Sequence, residues 1–150
     1  MPEAVFLPPG TGEILPAGAV SIALKATGET TAGTFFLSES TIPPGFQGPP
    51  LHRHRKLHDM FYVLEGTLTF YLGDERRESR PGTFVCVPPG VAHTFSNQSE
   101  EPVRVLNMST PAGWEHYMRE LAEAFAAGTP PLPEEVGRIA SRYDFEVVSD

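Results

Sequence analysis

Short strand-like segments recur along the first two thirds of the chain, and their spacing is the feature that most constrains the fold. They are rich in β-branched and aromatic residues, and turns such as IPPG at 42–45 and PPG at 88–90 separate them. The predicted strands cover residues 19–25, 33–40, 60–64, 67–72, 83–87, 93–96 and 103–108. So many short strands in a chain of 150 residues predict an all-β fold, either a sandwich or a closed barrel.

A different pattern begins after Thr110. Apolar residues then recur at helical spacing, and Pro111 suits the first position of a helix with Thr110 as N-cap and Gly128 as stop. A second helix is predicted over about 133–143, and the FEVV segment near the end fits a last strand. We expect a β-barrel over 1–110 and a helical extension of the same domain over 111–150. The first helix then either packs on the barrel as core or covers one mouth and walls a ligand pocket.

Composition and charge disfavour several classes of function. Nineteen acidic against eleven basic side chains give a net charge of −8, which opposes binding to nucleic acid. No apolar run approaches the roughly 20 residues of a membrane span, and the N-terminal segment lacks the basic start and apolar core of a secretory signal. The single Cys86 cannot form an internal disulfide, which fits the cytoplasm, and is expected to be a buried small apolar residue.

Three of the five histidines lie where they could share a metal ion. His52 and His54 are separated by one residue, so on a strand both rings project to the same face. His93 follows the PPG turn at 88–90, which could direct its ring toward the other two. Imidazole suits Zn, Cu, Fe and Ni better than Mg or Ca. We therefore predict a metal site at these three histidines and interpret His116 as an ordinary surface residue.

The residues around these histidines resemble the two motifs of the cupin superfamily. The first motif is carried by His52, His54, the acidic position Asp59 and Gly66. The second is matched at every fixed position, by Gly82, Pro88, Gly90, His93 and Asn97. Two positions depart from the first motif, because Phe46 stands where the family has glycine and Asp59 where it has glutamate. The resemblance implies a single jelly-roll barrel with one mononuclear metal centre.

The resemblance leaves two candidates for a fourth metal ligand. Counting back from Gly66 places Asp59 at the acidic position, although aspartate is one methylene shorter than glutamate. The preceding His58 has a longer side chain, and a bulge at the strand start could turn it inward. Four histidines would favour Zn or Ni, whereas three histidines and a carboxylate also suit Fe(II), Ni or Mn. Gln47 could add a further ligand, but an ordinary loop residue is the preferred interpretation.

The resemblance also implies chemistry on a small molecule. Single-domain cupins of this appearance look like quercetin 2,3-dioxygenases, which bind an enol-type substrate at the metal, react it with O₂ and use the carboxylate, here Asp59, as general base. A second alternative is a non-redox zinc polyketide cyclase, in which a ring nitrogen such as that of His58, or a metal-bound water, moves the proton. A third is ligand binding without catalysis, with Arg53, Arg55 and Lys56 either solvated or holding an anion. Related barrels often pair, so a homodimer is one expected assembly.

Both enzymatic alternatives need an apolar bowl beside the metal. Alternation places Phe61 and Val63 on the strand face of Asp59, and Phe95 on that of His93. Further aromatic residues expected on one wall or in the barrel core are Phe35, Phe70 and Phe84. We expect a pocket at one end of the barrel and packed core at the other.

Overall fold

The structure is a computed structural model that describes residues 3–148. Its strands are β1 (Glu13–Ala17), β2 (Val20–Ala26), β3 (Phe36–Ile42), β4 (His52–Arg53), β5 (His58–Glu65), β6 (Leu68–Leu72), β7 (Glu75–Ser79), β8 (Phe84–Val87), β9 (His93–Ser96), β10 (Val103–Thr110) and β11 (Glu146–Val147). They form a six-stranded sheet in the order β1-β2-β3-β10-β5-β8 and a five-stranded sheet in the order β11-β4-β9-β6-β7, both antiparallel. The expected all-β jelly roll is confirmed. The outermost residues of the expected barrel and extension, 1–2 and 149–150, lie outside the described residues.

Side chains alternate between the barrel interior and solvent. On β5, Asp59, Phe61 and Val63 are buried, whereas His58 and Tyr62 are exposed. The buried residues of one apolar cluster all lie on strands, and the largest fully buried members include Phe70, Leu68, Val63 and Val103. Burying each such side chain contributes about 1.5–3 kcal/mol. This cluster is the packed core that the alternation pattern predicts.

All seven predicted strands are present, six of them with shifted ends and β9 with the predicted ends, and the structure adds β1, β4 and β7. β1 contains Pro16, which is tolerated because β1 is an edge strand of its sheet. β7 also lies at a sheet edge, and its sequence ERRES carries no apolar residue. β3 begins only at Phe36 because the short helix α1 (Gly28–Thr31) and a turn precede it.

The helices differ from the prediction at their ends. β10 continues to Thr110, which pairs with His58 on β5, so Thr110 belongs to the sheet and does not cap a helix. The Thr110–Pro111 peptide is cis, and helix α2 (Trp114–Ala126) begins after Gly113, whose φ is +131°. Helix α3 (Pro133–Ala140) is shorter than the predicted 133–143. The expected start at Pro111 is therefore wrong, because strand pairing extends past the helix signal.

The segment after Thr110 packs against the barrel through a different set of residues. A second apolar cluster joins β1 and β2 to both helices, and it contains Leu15, Ile22, Leu24, Trp114, Tyr117, Ile139 and Phe145 among others. β11 pairs with β4, so this segment also completes the five-stranded sheet. Within residues 3–148, the helices are too short and too polar to cross a bilayer.

The outward face of β8 corrects two expectations. Phe84, expected on an interior wall, is 59% exposed, and Cys86, expected to be buried, is exposed as well. Alternation explains both, because Val85 and Val87 occupy the inward positions of this four-residue strand.

Candidate metal centre

Two of the three motif histidines come from adjacent strands of the five-stranded sheet. His52 on β4 pairs in register with His93 on β9, and their ring centroids are 4.3 Å apart. The backbone of the 43–50 loop lies tightly against β9, because a Cβ built on Gly48 would come within 1.8 Å of the Phe95 carbonyl oxygen. Gly48 also has a φ of +82°, so glycine satisfies both the close approach and the backbone conformation.

His54 follows β4 and is held in place from both sides. Its carbonyl oxygen accepts a 2.8 Å hydrogen bond from the Gly90 N–H, in the turn that precedes His93. Its ring Nδ1 hydrogen-bonds the carbonyl oxygen of Asp144, just before β11. The Asp144 carboxylate accepts three further hydrogen bonds, from the backbone N–H groups of residues 55, 56 and 57. The segment after α3 therefore determines where His54 lies.

Asp59 reaches the histidines from the opposite sheet. It is an inward residue of β5 and is only 7% exposed. Its Oδ2 lies 3.2 Å from Nε2 of His93 and 3.4 Å from Nε2 of His54, while its Oδ1 accepts a 2.7 Å hydrogen bond from the Asn107 amide. The shorter aspartate thus reaches the position at which the resemblance expects glutamate.

The three rings all present Nε2 to a common centre. Nδ1 of His52 lies 2.7 Å from the Pro50 carbonyl oxygen, Nδ1 of His93 lies 3.0 Å from that of Val91, and His54 makes the equivalent contact to Asp144. A carbonyl oxygen only accepts, so each Nδ1 carries the hydrogen and each neutral ring keeps its lone pair on Nε2. Backbone contacts of this kind fix both ring orientation and tautomer.

The members of the cluster differ in pKa because their electrostatic surroundings differ. Burial, reinforced by the neighbouring His93, lowers the pKa of His52 to about 3, so this ring is neutral near pH 7. Burial also opposes charge on His54, but the Asp59 carboxylate and the Asp144 carbonyl oxygen raise the pKa of His54 above its usual value. Burial alone would raise the pKa of Asp59, yet the adjacent rings of His54 and His93 hold it well below its usual range. Asp59 is therefore a carboxylate.

This arrangement fits a single metal ion. One donor atom from each of His52, His54, Asp59 and His93 lies within 4.8 Å of the other three, and all four residues are buried. Donors bound to one ion at about 2.1 Å would lie about 3–4 Å apart, so only small adjustments are needed. Within residues 3–148, the buried Nε2 of His54 has no hydrogen-bond partner of acceptable geometry, as expected for a nitrogen whose partner is an ion. Three imidazoles and a carboxylate suit Zn, Fe(II), Ni or Mn.

The other candidate ligands lie outside this cluster. His58 is exposed on the outward face of β5, next to the inward Asp59, so no bulge turns it toward the histidines. The expectation that His58 could be the fourth ligand is therefore not met, because regular alternation continues to the start of β5. Gln47 is an exposed loop residue whose amide hydrogen-bonds the Gly45 carbonyl oxygen. His116 is exposed on α2.

A cavity of about 240 Å³ opens beside the cluster and reaches His52 and Asp59. One wall comes from the barrel and includes Ile22, Ile42, Phe61, Phe95 and Val105. The other comes from the segment after Thr110 and includes Trp114, Tyr117, Met118, Leu121, Phe125 and Phe145. The first helix therefore both packs on the barrel and walls the cavity. Of the aromatic residues expected near the bowl, Phe61 and Phe95 line it, whereas Phe70 belongs to the packed core.

Sequence reasoning missed three residues that support the site. Asn107 hydrogen-bonds Asp59, Asp144 anchors the chain around His54, and the Phe145 ring stacks on His52 with centroids 4.1 Å apart. Asn107 had a detectable signal, since it is a polar residue at an inward position of the alternating strand VRVLNM. The other two lie about ninety residues from His52 and His54 in sequence and carry no local signal.

Comparisons with known proteins agree with this geometry. Residues 38–109 match the family model for the cupin domain. The chain is 30% identical over 87 residues to an uncharacterised protein of Methanocaldococcus jannaschii, a match covering 58% of this chain and 68% of that protein. It is 26% identical over 116 residues to a quercetin 2,3-dioxygenase of Bacillus subtilis, covering 77% of this chain and 34% of that enzyme. KdgF from Halomonas sp. has the same fold, with a TM-score of 0.66, 15% identity and coverage of 76% of this chain and 99% of that one.

The two sheets, the histidine cluster and these matches define a metal-binding type of β-barrel. The chain belongs to the cupin superfamily. It spans about a third of the length of the Bacillus subtilis dioxygenase that it matches.

Proposed function

We propose that the chain is a metal-dependent enzyme acting on a small aromatic or polyketide-like enol or carbonyl compound, with quercetinase-like dioxygenation as its reaction. The observation that carries this proposal is the position of the cavity, whose apolar walls meet at His52 and Asp59. A flat ligand held between those walls would place one polar edge at the metal site. The quercetin 2,3-dioxygenase relative, which matches 77% of this chain, supports the same reaction class.

The charge of the side chains that line the cavity limits the class of ligand further. Among the described residues, no lysine or arginine lines it. Sites for phosphate or carboxylate ligands normally supply such cations, so a largely uncharged ligand is favoured. The polar side chains of the lining other than His52 and Asp59 are Ser40, Asn107 and Tyr117. These few groups in an apolar cavity suit an aromatic compound with a small number of hydroxyl or carbonyl groups.

The residues of the site have separate roles in metal binding and proton transfer. His52, His54, His93 and Asp59 would hold the ion through three Nε2 atoms and Oδ2. A bound divalent ion supplies Lewis-acid stabilisation of negative charge on a substrate oxygen. Asp59 enters the reaction ionised, so its carboxylate can accept the proton of a substrate hydroxyl. His58 has no part in this scheme, because it lies on the outer face of β5.

The non-redox cyclase and the binding protein are the competing functions. A histidine-rich site fits the cyclase because no redox change is required, but the cluster also contains a carboxylate that can serve as the base of the dioxygenase. Two of the three basic residues at the rim, Arg53 and Arg55, pair with Glu146, which makes them less available to an anion. Both observations leave the dioxygenase as the stronger proposal.

Oxygen uptake tests the proposal. The chain is stripped of metal, reloaded separately with Mn, Fe(II), Ni or Zn, and incubated with quercetin in an oxygen electrode. We expect uptake with at least one redox-active ion and a ring-cleaved product in the mass spectrum. The control is His52→Ala treated identically, together with a flavone that lacks the 3-hydroxyl group.

No uptake with any ion would remove the dioxygenase. Ring closure of a linear polyketide without oxygen would establish the cyclase, and binding without turnover would establish a binding protein.

We further propose that the chain works in the cytoplasm as a homodimer. The single cysteine is the basis for the location. The homodimer is proposed because related barrels often form dimers. Light scattering coupled to size exclusion tests the dimer, and a mass near the 16.4 kDa of one chain would contradict it.

A further inference from the structure

Asn107 contacts the carboxylate of the cluster from behind. It is an inward residue of β10 and is 8% exposed. Its Nδ2 donates one hydrogen bond of 2.7 Å to Oδ1 of Asp59 and another of 3.0 Å to the Met60 carbonyl oxygen. Because an amide nitrogen has two hydrogens, both donors are used and the side chain is held in one orientation.

This pair of hydrogen bonds determines which oxygen of Asp59 faces the histidines. Oδ1 accepts from Asn107, and Oδ2 lies on the other side, within 3.4 Å of Nε2 of both His54 and His93. The two oxygens are joined rigidly through Cγ, so holding one fixes the direction of the other.

We propose that Asn107 is a positioning residue that holds Asp59 with a single oxygen directed at the metal. The inference rests on the metal site that the proposed function requires. It concerns the orientation of the Asp59 carboxylate, and it does not depend on the identity of the substrate. Partners of metal ligands typically change metal affinity by about 10–100-fold when they are removed.

Ser109 provides a matched control. It is the next inward residue of β10, it is fully buried, and it pairs in register with Asp59. Its hydroxyl has no hydrogen-bond partner among the described residues. Ser109 is thus as buried and as near in the sheet as Asn107, but it makes no hydrogen bond to the carboxylate.

Zinc affinity tests the proposal, measured at constant pH by competition with a chromophoric chelator. Asn107→Leu should bind one zinc ion about 10–100-fold more weakly than the wild type. Asn107→Ser, which is too short to reach Asp59, should weaken binding similarly and guards against misfolding of the leucine variant. Ser109→Ala should stay within about twofold of the wild type. Circular dichroism confirms that each variant is folded.

A double-variant comparison separates positioning from a general structural effect. If Asn107 acts through Asp59, Asn107→Leu should have almost no effect on zinc affinity in the Asp59→Ala background. The visible spectrum of the Co²⁺-loaded protein should change with Asn107→Leu and not with Ser109→Ala, because it reports the geometry around the ion.

The outcomes that overturn the inference are distinct from those that overturn the function. Unchanged affinity and spectrum in Asn107→Leu would remove the positioning role, as would an equal loss with and without Asp59. A wild-type chain that binds no metal would remove the metal site, and the proposed function with it.

Discussion

His52 and His93 stand directly opposite each other on β4 and β9, with their ring centroids 4.3 Å apart. Cross-strand neighbours this close would repel strongly if both rings were protonated. Burial and the neighbouring His93 keep the first ring neutral, and Phe145 stacks on that ring. The pairing therefore suits a shared ion better than two independent histidines, and it leads to the first prediction.

Replacing any one of His52, His54 or His93 by alanine should remove most of the bound metal. Each substitution deletes one of three converging Nε2 donors and leaves the others without their common partner. Metal content after dialysis, measured by plasma mass spectrometry, checks this. His58→Ala and His116→Ala are the controls, and both should retain one ion per chain, because both side chains are exposed away from the cluster. Loss of metal in His58→Ala with retention in Asp59→Ala would reverse the assignment of the fourth ligand.

Removing the metal should lower the thermal stability of the chain. An ion that binds only the folded state at a thousand times its Kd adds about 4 kcal/mol to the free energy of unfolding. For a chain of this size, that corresponds to a drop in Tm of roughly 8–16 °C on addition of a chelator. Scanning calorimetry with and without chelator measures it. The His93→Ala variant should show no such difference, and a chelator effect of equal size in that variant would contradict the prediction.

Asp144→Ala should destabilise the fold in a pH-dependent way. Burial opposes charge on this carboxylate, but three backbone N–H groups donate to it and lower its pKa. A group whose pKa is lower in the folded state stabilises the fold above its unfolded value of about 3.9, and loses that effect as the pH falls through the folded value. We expect a loss of about 1–3 kcal/mol at pH 7 that shrinks steadily below about pH 4.

Urea unfolding of the metal-free chain at a series of pH values measures this effect. The control is Asp74→Ala, which alters an exposed aspartate in the turn between β6 and β7. A stability loss in Asp144→Ala that does not vary with pH would show that the carboxylate contributes by packing and not by charge.

Filling the cavity should block the ligand without affecting the metal. Leu121 on α2 lines the cavity, and replacing it by tryptophan adds bulk between the two walls. Overpacking costs about 1–3 kcal/mol, so quercetin should bind about 5–150-fold more weakly in Leu121→Trp while zinc affinity stays within about twofold. Fluorescence titration measures the former and chelator competition the latter. Leu132→Trp, which alters an exposed residue that does not line the cavity, should bind both like the wild type.

The strands and motif positions that carry the site could be predicted from the sequence because their signals are local. The spacing of His52 and His54 and the turn before His93 predict that the three rings converge, and alternation along β5 predicts the inward direction of Phe61 and Val63. β1 and β7 could not be predicted in this way, since a proline interrupts the first and the second is wholly polar. Their pairing with neighbouring strands stabilises them, and that pairing is a tertiary contact.

Local sequence signals also could not decide whether His58 or Asp59 is the fourth metal ligand. The two residues are adjacent, so a shift of one position would exchange their directions. The register of β5 against β10 and β8 settles it, because Asp59 pairs with Ser109 on one side and Val87 on the other. The outward direction of Phe84 and Cys86 follows from the same register, although an alternation rule applied to β8 would have found it.

The contacts of Asp144 and Phe145 with the histidine cluster also affect the order of events during synthesis. The ribosome makes the three histidines and the aspartate long before it makes these two residues, so the nascent barrel carries its donor atoms before His54 has its anchor. A tightly held ion is therefore expected only after translation has passed residue 145, and a nascent chain stalled earlier should exchange metal quickly.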